Sequence, residues 1–239
     1  MWSDMSASKS PVSLWLLSGI WTAPGFMEQF RVHFEEQVAS SGRNVRSALL
    51  YPYGDWSRGK WSQLREARHD LLLPMSKRDR SIGGNRAASE ISKTGSNDEA
   101  IVLIGHSAGG IASIHAGELL RRRSGLNVSA YVQIGSPKQS IPDEVRERVL
   151  FLAGSSGDGY SGTDPICRIG SWGGCKGGRR GIPRWDRRRF APAGVISLRL
   201  AGKHPDYFRL TEAFRSEGGL YNGELVARAV LDWIKRLDV

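Results

Sequence analysis

The chain is poor in cysteine and has no long apolar run. Its 239 residues contain only Cys167 and Cys175, eight apart in a glycine-rich stretch. Two thiols make no metal site, because a structural zinc takes four ligands. No histidine or cysteine spacing elsewhere suggests one, so neither a metal nor an organic cofactor is expected. No stretch reaches about 18 consecutive apolar residues, so no integral membrane span is expected. "PVSLWLLSGIW" (11–21), the longest apolar stretch near the start, lacks a basic flank and a small-residue cleavage site. It reads as a buried strand and not as a secretory signal. A cytoplasmic protein with two free thiols is therefore expected. Acidic residues are also in deficit: Lys and Arg number 34 against 24 Asp and Glu, a net charge of +10. That permits attraction to polyanions. No aromatic-basic recognition motif accompanies it, so it reads as surface arginine, with no nucleic-acid partner.

What is present is an ordinary soluble composition, 40% hydrophobic and 24% charged. The length suits one sizeable core. A loose tail over 1–10 is expected, followed by one domain over 11–239. There is no internal repeat. Short apolar runs at 12–17, 45–51, 100–104, 128–134, 149–153 and 195–200 alternate with helical stretches. This pattern predicts a mostly parallel sheet with helices on both faces. The runs show little alternation, as in strands covered on both sides. Helices are expected at 26–40, 61–73, 109–123 and 224–237, with a short turn of helix at 143–148. In the first, Phe26, Phe30, Phe34 and Val38 make one stripe. "SKRDRSIGGNRAASEISKTGSNDE" (76–99) reads as a polar helix extension or loop. Residues 155–194 read as an irregular excursion and a candidate lid.

The sharpest local signal is "AIVLIGHSAGGIAS" (100–113). An apolar strand runs into Gly105-His106-Ser107-Ala108-Gly109, and a helix follows. This is G-x-S-x-G in its required setting of strand, tight turn and helix. Glycines at 105 and 109 remove side chains that would collide around the turn. Ser107 then stands at a helix N-terminus, where backbone N–H groups favour a developing anion.

In these residues the chain resembles the α/β-hydrolase family of serine hydrolases. The likeness runs from Val12 to the last helix and is strongest in "LIGHSAGG". It implies a single-domain fold of about six strands without a large cap, like the compact lipases and esterases. It also implies a triad in the chain order serine, acid, histidine. Of the five histidines, His33 and His69 precede Ser107. His106 adjoins it, and His115 lies about two helical turns beyond. His204, in "VISLRLAGKHPDYF", follows a strand and a glycine, where the family places its histidine.

The acid is expected in "GSSGDGYSGTDPICRIG" (154–170), which offers Asp158 and Asp164. Asp164 is preferred because "GTDPIC" resembles the family's pattern around the acid. Asp158, between glycines, reads as a turn residue. Asp206 is too local to His204, and Asp186 is expected to pair with a neighbour. The oxyanion donors would be the backbone N–H groups of Ala108 and of Ile20, with Trp21 as the alternative. Many relatives carry His-Gly before that donor, and this chain has Ser18-Gly19.

The resemblance thus implies a hydrolase of carboxylic esters, with Ser107, Asp164 and His204 catalytic and a small-molecule acyl substrate. An acyl-thioesterase and a lipid deacylase are the alternatives within the class. A hydrolase-fold protein that only binds a small molecule or partner is the alternative outside it. Trp21, Trp56, Trp61, Trp172 and Trp185 either line an acyl pocket or merely pack loops. Oligomeric state is not legible.

Overall fold

A computed structural model describes residues 10–156, 164–177 and 183–239. The tail before residue 10 and Asp158 lie outside these, so neither expectation is met with a structure. Six strands form one wholly parallel sheet: β1 (Val12–Leu17), β2 (Val45–Leu50), β3 (Ala100–His106), β4 (Val128–Ile134), β5 (Val149–Ser156) and β8 (Gly194–Leu200). Their order is β2-β1-β3-β4-β5-β8. A small antiparallel hairpin, β6 (Gly174–Lys176) and β7 (Arg184–Asp186), projects from the excursion between β5 and β8. The expected α/β class and strand positions are borne out.

Alternation within the strands divides the core in two. Val12, Leu14 and Leu16 face a cluster with Phe30, Phe34 and Val38 of α1 (Glu28–Ala39). Val226, Val230, Trp233 and Ile234 of α5 (Asn222–Arg236) join the same cluster. Trp15 and Leu17 face the other side, with Ala87, Ala88 and Ile91 of α3 (Ile82–Ile91). Ala112, Leu119 and Leu120 of α4 (Ala108–Ser124) complete that side. Cover on both faces holds for the four central strands. It fails at the edges: β2 is half-buried throughout, and β8 alternates, with Val195 46% exposed.

One further expectation is sharpened. The polar stretch 76–99 holds a 3₁₀ turn and a regular helix, α3. Gly83 and Gly84 look like breakers in the sequence, but they are what lets the helix pack. A Cβ at Gly84 would lie 2.6 Å from His115 Cβ of α4. The short turn of helix expected at 143–148 is a 3₁₀ turn at Arg146–Arg148.

α2 (Lys60–Leu72) is tied to α3 by one carboxylate. Asp70, fully buried, accepts hydrogen bonds from Tyr53 Oη (3.0 Å), Ser81 Oγ (2.8 Å) and the N–H groups of Ile82 and Gly83 (2.8 Å each). A carboxylate suits the positive end of α3. Asp70→Ala would leave four donors unpaired, three of them buried. It should lower stability by about 3 kcal/mol, read as a fall in the urea midpoint at unchanged slope.

Candidate active site

In an open parallel sheet, ligands bind beyond the C-terminal strand ends, where the strand order reverses. Here that point lies between β1 and β3, since β2 is on one side and β3, β4, β5 and β8 are on the other. Leu17 pairs with Gly105 at this edge, so the loops leaving β1 and β3 start side by side. Asp164 follows β5 and His204 follows β8, on the same edge.

Ser107 occupies the turn between β3 and α4 with φ 54° and ψ −126°. Left-handed backbone at a non-glycine residue costs on the order of 1–3 kcal/mol and persists only where its surroundings enforce it. Close packing enforces it here. A Cβ at Gly109 would lie 2.1 Å from Leu17 O, so only glycine lets α4 start this near β1. A Cβ at Gly19 would lie 2.8 Å from Ser107 Cβ and 3.3 Å from its Oγ. The β1–α1 loop therefore lies directly against the serine.

Ile20 follows Gly19 in that loop, and Ala108 follows Ser107 at the start of α4. Among the described residues, the N–H groups of Ile20 and Ala108 have no acceptor. Trp21 N–H, by contrast, donates to Gln63 Oε1 at 2.7 Å. Gln63 is fully buried on α2 and donates to the carbonyls of Asp55 (2.5 Å) and Arg58 (3.1 Å). Of the two sequence alternatives, Trp21 is thus already committed to a protein acceptor. Its φ of 51° marks a second strained turn.

Asp164 caps a short 3₁₀ turn and is anchored by its own N–H, which donates to Gly154 O (2.9 Å). Its Oδ1 accepts from Ile166 N–H (2.9 Å). Its Oδ2 accepts from His204 Nδ1 (2.6 Å) and from Tyr207 Oη (2.8 Å). Tyr207 Oη in turn accepts from Gly154 N–H (2.6 Å). Burial would raise the Asp164 pKa, but the hydrogen bonds from His204, Ile166 and Tyr207 outweigh it and hold the carboxyl below its ordinary value. It therefore stays ionised at neutral pH. Burial and the Asp164 charge push the nearby Cys167 thiol up to about 12, so it stays a thiol.

His106, set aside in the sequence, packs against His204: the ring centroids are 4.8 Å apart at 23°. Its Nε2 lies 3.3 Å from His204 O, and Phe26 and Phe208 close around it. Desolvation, and secondarily the charge of His204, lower its pKa from 6.5 to about 3. No hydrogen bond joins Ser107 Oγ to His204 in this structure, where His204 Nδ1 is bonded to Asp164. Sequence reasoning also passed over Tyr207. Its signal was the spacing, three residues after His204 in a 3₁₀ turn of that period.

The discounted residues have other partners. Asp206 accepts from Lys203 N–H (2.8 Å), and Asp186 pairs with Lys176 across the hairpin. His115 is buried within α4. Trp172 is buried, edge-on to Phe151, whereas Trp185 is exposed. Among the described residues, no cluster of His, Cys, Asp and Glu could hold a metal ion, and no helix is long and apolar enough to cross a membrane.

No protein-family model and no curated protein matches the chain in sequence. Solved structures do match it. The RedJ thioesterase of the prodiginine pathway of Streptomyces coelicolor superposes with a TM-score of 0.50. It is 13% identical, over 93% of this chain and 86% of that one. YbtT, a type II thioesterase of the yersiniabactin pathway, gives 0.48 at 13% identity, over 100% of this chain and 98% of that one. The fold is that of the α/β-hydrolases.

His106 makes the fold sensitive to acid. Its folded pKa lies below its unfolded one, so the unfolded chain binds more protons between about pH 6.5 and 3. Stability contributed by the neutral ring is present above that range and is lost as pH falls through it. His106→Gln should make the urea midpoint fall less steeply between pH 6.5 and 4 than it does in wild type.

Proposed function

We propose that this chain, an α/β-hydrolase by fold, is a serine hydrolase that cleaves a carboxylic ester or thioester through an acyl-enzyme. Ser107 Oγ attacks the acyl carbonyl and its proton passes to His204 Nε2. The carbon–oxygen or carbon–sulfur bond then breaks, and His204 returns that proton to the leaving alkoxide or thiolate. Water attacks the acyl-enzyme in the same way, giving its proton to His204. The acid departs and Ser107 Oγ is protonated again.

Each remaining group has a part in that sequence. Asp164 fixes the His204 tautomer, with Nδ1–H held and Nε2 left to accept, and stabilises the imidazolium. The N–H groups of Ile20 and Ala108 receive the negative charge that develops on the carbonyl oxygen. Tyr207 acts on Asp164 and not on substrate. The observation that carries this reading is the 2.6 Å bond between Asp164 and His204, on the sheet edge where Ser107 stands in its strained turn. The likeness to RedJ, named a thioesterase, supports keeping thioesters beside esters. A lipid deacylase remains within the same chemistry.

The direct check is a panel of esters and thioesters of graded acyl length, with fluorophosphonate labelling. Wild type should hydrolyse part of the panel and be labelled; Ser107→Ala should do neither. If wild type does neither, the chain is a binding protein built on a hydrolase fold. Asp164→Asn should cut turnover by about four orders of magnitude, while Asp158→Asn should change it little. Tyr207→Phe removes one hydrogen bond to a charged group and should lower kcat by about tenfold. The reverse pattern at the two aspartates would move the acid to Asp158.

A further inference from the structure

A helix on a globular protein normally turns its apolar stripe inward and its polar residues to water. α2 does the reverse. Its buried residues are Gln63, Ala67 and Asp70, and the two polar ones are engaged by the β1–α1 loop and by α3. Its outer face carries Trp61, Leu64, Arg65, Arg68 and Leu72. At about 100° per residue these five fall within an arc of roughly 100°. Trp61 is 75% exposed, Leu72 64% and Leu64 44%.

Two more exposed tryptophans adjoin the start of this stripe. Trp56 N–H donates to Thr22 O at 3.1 Å, which brings it to the β1–α1 loop beside Trp21. Lys60 Nζ lies 4.6 Å from the Trp21 ring centroid and 6.0 Å from that of Trp61. Five of the nine exposed large apolar side chains among the described residues thus belong to Trp21, Trp56 and the outer face of α2. Interleaved with them, Lys60, Arg65 and Arg68 make no ion pair among the described residues, whereas Arg58 nearby is held by Glu66.

We propose that this surface docks the protein on an anionic lipid interface. Tryptophans are at home at the headgroup level, and leucines at the acyl boundary beneath it. Lysine and arginine on the same face meet lipid phosphates, and the net charge of +10 adds longer-range attraction. A second copy of the chain fits poorly, because it would set Lys60, Arg65 and Arg68 against themselves. Trp21 follows the candidate oxyanion donor Ile20, so docking brings the β1–α1 loop to the interface. The surface itself does not depend on the hydrolase reading.

The test is sedimentation of the whole chain with vesicles of phosphatidylcholine alone and of phosphatidylcholine with phosphatidylglycerol. Wild type should bind the anionic vesicles at least about tenfold more tightly, with affinity falling as salt rises. The triple variant Trp61→Ser, Leu64→Ser, Leu72→Ser, and separately Arg65→Glu with Arg68→Glu, should lose that binding at unchanged circular dichroism. Trp185→Ser, which removes an exposed tryptophan elsewhere, should keep it. Failure of wild type to bind anionic vesicles, or wild-type binding by the triple variant, overturns the proposal. Retention on DNA or capture of a protein without vesicle binding overturns it as well. Ser107→Ala should bind vesicles like wild type. Vesicle binding by a wild type that hydrolyses nothing would sink the enzyme reading alone.

Discussion

The turn at Ser107 is the constraint around which the rest of the site is built. Its backbone is held at φ 54° although the residue is not glycine. Such a conformation survives only where alternatives are blocked by contact. Leu17 and Ser18 block it from the β1 side, so close to Gly109 that no side chain fits there. Gly19 then lets the β1–α1 loop lie against the serine itself. One strained residue therefore dictates small residues in two neighbouring elements. It also sets the start of α4, at Ala108, beside the loop that carries Gly19 and Ile20.

Asp164 organises the opposite side of the site in a different way. It is held by hydrogen bonds and not by steric exclusion. His204 and Tyr207 share one of its oxygens, and Ile166 N–H takes the other. Burial raises its pKa, but these three donors and the charge of His204 outweigh that cost and hold the carboxyl below its ordinary value. Tyr207 carries the network on to the end of β5 through Gly154. His106, kept neutral by burial, completes the support of His204 by stacking on its ring. The imidazole is thus fixed both in its plane and across it.

α2 links this site to the surface. Its inner face is polar because it serves as a bracket: Gln63 holds the strained Trp21 turn and Asp70 holds the start of α3. A helix whose inward positions are taken by such ties contributes little to the core; only Ala67 joins it. Its apolar residues are left on the outside, interleaved with cations, next to the loop that faces Ser107.

The residues alone determined the parallel α/β class, because six apolar runs separated by helical stretches have few other ways to be buried. They determined the elbow as well, since G-x-S-x-G between strand and helix is a local pattern with a local steric cause. Spacing and the family resemblance singled out Asp164 and His204, forty residues apart, but could not join them. Only the tertiary structure put them 2.6 Å apart, because that distance depends on β5 and β8 lying side by side. It alone also decided that Gly83 and Gly84 belong inside a helix, that Trp21 N–H is taken by Gln63, and that Tyr207 and His106 support the site. Each of these is a contact between segments distant in the chain, and neither periodicity nor local turn chemistry carries information about a partner that folding has yet to bring near.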